Sequence, residues 1–216
     1  MKRTCLSIII AGLLAFSAVT FLFPVPLYPN CFTATIQPIQ VCDDSGRTCS
    51  AIAFDRQALQ SIFQQADLTL NILPIRSFFN SVYQTIDSIE EGNALLGYQP
   101  GVIGPIPDPG IDKTASPPVL NVWFAESSFS PPGVVALAFV DYNRAWVICG
   151  LRVEVETLIL AHALAHNFGL DHVDHPANLM NEVFSPINTS LDDLQVAIIQ
   201  ASRFVTPVLE ADQKLK

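Results

Sequence analysis

All four histidines of this 216-residue chain fall between positions 162 and 175. Three of them follow a spacing that leaves the backbone little choice. His162 and His166 stand four apart, so a helix through them presents both imidazoles on one face. Two ring nitrogens so placed can grip one zinc ion. Gly169 follows three residues later. Glycine enters left-handed backbone conformations cheaply, so the helix can stop there and the chain can turn back. His172 then returns to the same metal as a third ligand. Three neutral imidazoles with an open fourth position describe a catalytic-type zinc site, not a closed structural one. The competing reading is a chance cluster of surface histidines, which a lone pair would favour and the full spacing does not. With three ligands in place, His175 reads as a surface residue.

His162, His166, Gly169 and His172 together resemble the metzincin family of zinc endopeptidases, whose pattern is H-E-x-x-H-x-x-G-x-x-H with a methionine turn downstream. Met180, the only methionine besides Met1, stands where that turn would be, and the resemblance implies a floor beneath the metal. A helix at 54–66, strands at 68–75 and 119–124 and a hairpin around 134–148 follow the family's order. Leu191 to Phe204 looks like the C-terminal helix of matrixin-type bacterial members. Val173 follows the third histidine where matrixins usually have serine, which leaves the subfamily open. The resemblance spans about residues 51–206 and is specific only in the zinc motif. It implies an α+β fold, a twisted mixed sheet packed with an active-site helix and a C-terminal helix. It also implies one zinc ion and a peptide or protein substrate, bound alongside an edge strand within 134–140.

One position departs from the pattern. The family has glutamate directly after the first histidine, and this chain has Ala163. A carboxylate there takes a proton from the attacking water and returns it to the leaving nitrogen. A methyl group does neither, so hydrolysis is expected to be impaired while the ligands remain. Alanine is the best helix former, so the helix itself is unharmed. Glu156, Asp171 and Glu182 are the nearby acids that could substitute, and each reads better as a solvated charge. Ala163 is compatible with a natural pseudoprotease acting as a binding module and with an introduced substitution in an active protease.

The remaining elements read from local patterns. Apolar residues at 58, 59, 62, 63 and 66 have helical spacing. Leu68, Leu70 and Ile72 alternate with polar residues as in a strand that Pro74 either ends or confines to an edge. Val134–Val140 and Ala145–Ile148 read as strands joined by a turn at 141–143. Val153–Phe168 is the histidine-bearing helix. Thr189-Ser190 reads as the N-cap signal of a last helix running to about Phe204. Residues 99–118 are rich in proline and glycine and form a long loop, either a surface excursion or a rim over a cleft. Residues 24–50 read as an irregular, cysteine-containing segment, and 207–216 as a tail.

Lys2, Arg3 and the uncharged run from Leu6 to Phe23 read as a secretory signal peptide at 1–23, with a retained N-terminal membrane anchor as the alternative. Export makes disulfides favourable. Cys42 and Cys49 flank a turn-like stretch and can close a small loop, which leaves Cys31 and Cys149 as a second pair or as unpaired thiols. The formal net charge is −9, which argues against nucleic acid as a partner. A secreted, monomeric domain is the expectation.

Overall fold

The computed structural model describes residues 32–97, 118–128 and 134–208. Within them an α+β fold is built on a mixed, mostly parallel sheet. The first strand, β1 (Phe32–Cys42), lies at its centre. Helix α1 (Arg56–Phe63) follows, then β2 (Leu68–Ile72), β3 (Arg76–Phe79), β4 (Thr85–Ile86) and helix α2 (Ile89–Leu95). Next come β5 (Leu120–Ser127) and the hairpin of β6 (Ala136–Ala138) and β7 (Arg144–Ile148). Helices α3 (Val153–Asn167) and α4 (Asp193–Ala201) and the short β8 (Thr206–Pro207) complete it. The main strand order is β2-β1-β5-β7-β6, with β6 at one edge. β1 runs parallel to β2, β3 and β5, and β6 antiparallel to β7.

The reading of 24–50 as irregular is corrected by β1. Its even positions Ala34 and Ile36 enter the core shared with α1 and α3, and its odd positions Ile39 and Val41 enter the core on the opposite face. A strand buried on both faces loses the polar alternation that would mark it in sequence. Pro38 also argues against a central strand, since it cannot donate to a ladder. The structure places it opposite a gap. β1 pairs with β2 up to Ile36 and with β3 only from Ile39. In between, the Gln37 side-chain amide donates to the carbonyls of Pro38 and Pro74 at 2.8 and 2.7 Å. The sheet therefore begins well before residue 51.

β5 divides its residues the same way. Leu120, Val122 and Phe124 face the helical core, and Trp123 and Ala125 face the other. α3 is buried along most of its length and packs against β6, β7 and α1. Two side chains of its N-terminal half hold the approach to α1. Glu156 accepts from the Ala53 N–H and Thr157 from the Asp55 N–H, both at 2.8 Å. Glu156 is fully buried, so its reading as a solvated charge does not stand. Asp55 in turn caps α1, accepting from the N–H groups of Gln57 and Ala58. The last helix starts later than expected. Asp192, not Thr189-Ser190, is its N-cap, in a reciprocal capping box with Gln195.

A disulfide joins Cys42 and Cys49 across the predicted turn. Cys149 is a buried free thiol, and Cys31, its expected partner, is not among the described residues. Cys31, the 1–23 segment and nearly all of the proline-rich loop lie outside the described residues. No described helix is long and apolar enough to cross a membrane.

Candidate metal centre

The end of α3 explains how the third histidine returns. Gly169 has φ +111°. Its N–H donates to the His166 carbonyl at 2.9 Å, and the Leu170 N–H donates to the Ala165 carbonyl at 3.0 Å. This pair of bonds is a Schellman ending, with glycine at the left-handed position. It satisfies carbonyls that the helix would otherwise leave open. A side chain at Gly169 would meet Ile198 at 3.3 Å, so both backbone angle and space call for glycine.

The same turn aims a ligand. The Leu170 carbonyl lies 2.7 Å from His166 Nδ1. The Leu179 carbonyl lies 2.7 Å from His162 Nδ1. A carbonyl can only accept, so in both rings Nδ1 carries the proton and Nε2 keeps its lone pair. His172 Nε2 sits 3.1 Å from Nε2 of His162 and 3.1 Å from Nε2 of His166. Candidate ligand atoms of the three residues lie within 4.8 Å of one another.

These distances test whether zinc fits. Zinc–nitrogen bonds of about 2.0–2.1 Å in a tetrahedron imply a nitrogen–nitrogen edge of about 3.3 Å. The two 3.1 Å edges are close to that. A proton on His172 Nε2 could answer one of the two facing lone pairs. A cation answers all three rings at once. The donor set and its carbonyl partners are those that a three-histidine zinc site requires.

Electrostatics agree. Burial pushes the His166 imidazole down to about 4, with His162 adding to the effect. Burial also lowers His162, partly opposed by the bond to Leu179. Both rings are thus held neutral at physiological pH, the form that binds metal.

The loop that supplies Leu179 is itself held from a distance. Asn178 Oδ1 accepts the Met180 N–H at 2.8 Å. The amides of Asn178 and Gln195 pair reciprocally, with Nδ2 to Oε1 at 2.7 Å and Nε2 to Oδ1 at 3.1 Å. Gln195 is also the third helical residue of the α4 capping box, so α4 braces the loop beneath His162. Neither amide was foreseen from sequence. Met180 is fully buried in this turn, and its carbonyl accepts the Val173 N–H just after His172.

A cavity of about 300 Å³ opens beside His162 and His172. Its lining includes Val134, Val135 and Ala136 beside the hairpin and Ile159 of α3, together with Asn181, Glu182 and Phe184 from the loop after Met180. Asn167 at the end of α3 fixes the hairpin wall by donating to the carbonyls of Phe139 and Arg144.

Ala163 is 1% exposed and belongs to the core between α3 and the sheet. Asp171 and His175 are exposed and lie outside the three-histidine cluster. Glu156 is anchored at Ala53. Of the acids weighed from sequence, only Glu182 lines the cavity beside the histidines.

No family model matches the chain, and no curated protein does. Among solved structures, it is similar to metalloproteinase-II from Bacteroides fragilis, with 12% identity and a TM-score of 0.49. That match covers 81% of this chain and 53% of the other, so the chain spans about half that protein's length. A zinc-dependent peptidase from Methanocorpusculum labreanum is similar at 15% identity and a TM-score of 0.45, covering 74% of this chain and 99% of that one.

Proposed function

We propose that this domain is a zinc metallopeptidase-type scaffold of metzincin character that retains its metal site and cleft but lacks the general base. The observation that carries the reading is the convergence of three imidazoles, two held by backbone carbonyls with Nε2 aimed at one point. His162, His166 and His172 would hold one zinc ion. When bound, zinc lowers the pKa of a water to about 7 and polarises a substrate carbonyl.

The chain's own groups divide the remaining tasks. The Leu170 and Leu179 carbonyls keep the His166 and His162 rings in the tautomer that leaves Nε2 free. Met180 packs in the turn that carries Leu179, consistent with a Met-turn. β6 ends the main sheet order, and its outer edge can receive an extended peptide by backbone hydrogen bonds. Ala163 offers no proton acceptor, and general acid–base catalysis contributes a factor on the order of 10²–10⁴. Export is supported by the Cys42–Cys49 disulfide.

The Ala163→Glu exchange tests this. A helical side chain leans toward the turn before it, here toward Ile159, which lines the cavity. The new carboxylate therefore has a route from the core to the cleft. Both forms should carry one zinc per chain by elemental analysis. Only the Glu form should cleave a general protein substrate, and chelation should abolish the cleavage. A Glu form that holds zinc yet cleaves nothing in a broad peptide library refutes the scaffold reading.

The buried methyl at 163 also favours a second reading, a peptide-binding module in which zinc anchors without cutting. It expects the protein to bind peptides as it stands and His166→Ala to weaken that binding. Unchanged binding in His166→Ala rules out the zinc-anchored mode.

A further inference from the structure

We propose that the cavity beside the histidines selects a peptide residue with an apolar stem and a cationic head, arginine or lysine, and that Glu182 supplies the counter-charge. The inference rests on the metallopeptidase-type reading and names its substrate class. Val134, Val135, Ala136 and Ile159 give the cavity an apolar portion of its lining. Such side chains suit methylene groups and offer a polar group no hydrogen bond. Glu182 is the only carboxylate among the described lining residues. No lysine or arginine is among those residues to neutralise it.

The arrangement fits long cationic side chains in three ways. Arginine and lysine bury an aliphatic stem while the charged head seeks water or an anion. Glu182 is exposed, so its carboxylate can receive such a head without being dragged from solvent. Phe184, two residues on, lines the same cavity and is exposed at 39%. An aromatic face beside a carboxylate favours a guanidinium over an ammonium. A leucine-sized side chain would fill the apolar part and leave Glu182 unused. An acidic one would face a like charge. The formal charge of −9 on the whole chain acts in the same direction by drawing in basic peptides.

The test is direct binding to the zinc-loaded full chain, read by fluorescence anisotropy. The probes are one extended peptide and its variants with arginine, lysine, citrulline, leucine or glutamate at a single position. Citrulline keeps the shape of arginine and removes its charge. The arginine peptide should bind about two- to fivefold more tightly than the citrulline peptide, the upper part of the range for a solvent-accessible ion pair. Lysine should fall between them, and glutamate should bind worst. Raising the salt from about 0.05 to 0.5 M should shrink the gap, since the pair is open to screening. Glu182→Gln should make arginine and citrulline bind equally, and an unchanged urea midpoint for that variant separates loss of charge from loss of fold. Equal binding of arginine and citrulline, or a gap that survives Glu182→Gln, overturns the inference and leaves the scaffold reading intact. If no peptide binds with zinc present, both fall.

Discussion

The brace between α4 and the metal loop can be broken at Gln195, a residue outside the histidine motif. Gln195→Ala removes three hydrogen bonds. Oε1 loses the Asp192 N–H at 3.0 Å and Asn178 Nδ2 at 2.7 Å, and Nε2 loses Asn178 Oδ1 at 3.1 Å. The consequences differ by atom. Asn178 Oδ1 keeps the Met180 N–H, whereas Nδ2 has no other acceptor among the described residues and is left buried. One orphaned buried donor costs about 1–3 kcal/mol. Losing half of the capping box adds about 1 kcal/mol, although Asp192 still accepts from the residue's own N–H. The expected destabilisation is about 2–4 kcal/mol, read as a drop in the urea midpoint of the metal-free protein. The loop should also release the Leu179 carbonyl, and His162 with it. Removing such outer-shell partners costs about 10–100-fold in metal affinity, measurable by competition with a chromophoric chelator. If the urea midpoint falls as expected and zinc affinity does not change, α4 stabilises the fold without positioning the ligand, and the brace argument is wrong.

Two pH effects of opposite sign follow from buried groups. His166 titrates near 4 in the folded chain against an ordinary 6.5, so the unfolded chain binds its proton more tightly. The metal-free protein should keep that stability above about 6.5 and lose up to about 3 kcal/mol as pH falls through 4. Urea titrations of the apo protein against His166→Gln check this, and parallel pH profiles for the two would contradict it. Glu156 runs the other way, because burial raises its carboxyl and the Ala53 N–H only partly offsets that. Its contribution is fully present below about 4.5 and declines as pH rises through the raised value. Glu156→Gln keeps an oxygen for Ala53, so its urea midpoint at pH 7.5 should equal or exceed that of the parent. A clear loss at that pH would mean the buried charge itself stabilises the fold.

What could be read in advance was what is local. A four-residue histidine interval, a glycine three residues on and a histidine after it encode one helix face and one turn, and the structure brings these residues together through the Schellman ending. The hairpin at 136–148 and the helix at 56–63 likewise follow from short-range periodicity. β1 was missed because its signal is non-local. Pro38 is tolerated only because β2 and β3 leave a gap opposite it, and its apolar residues serve two cores at once. The Asn178–Gln195 pair was hidden for a similar reason, since nothing near either residue announces the other. Glu156 looked like any helix-surface acid, and only the chain segment at Ala53 makes it an internal one. Glu182 gained meaning only when the loop after Met180 was seen to wall the same cavity as the histidines.

The central position of β1 also sets an order on how the domain can be assembled. On the side away from β2 and β3 its inner residues find their partner only at Leu120–Phe124, and its first residues pair again at Thr206 and Pro207. The earliest of these strands to be synthesised is therefore the last to be completed. Sheets closed by such distant pairings fold slowly, because the chain must surrender the entropy of a long loop before the contact repays it. Until residues beyond 120 are available, β1 carries an open edge rich in isoleucine and valine, the kind of segment that chaperones or aggregation compete for. For this chain, the vulnerable interval is the time spent waiting for its second half.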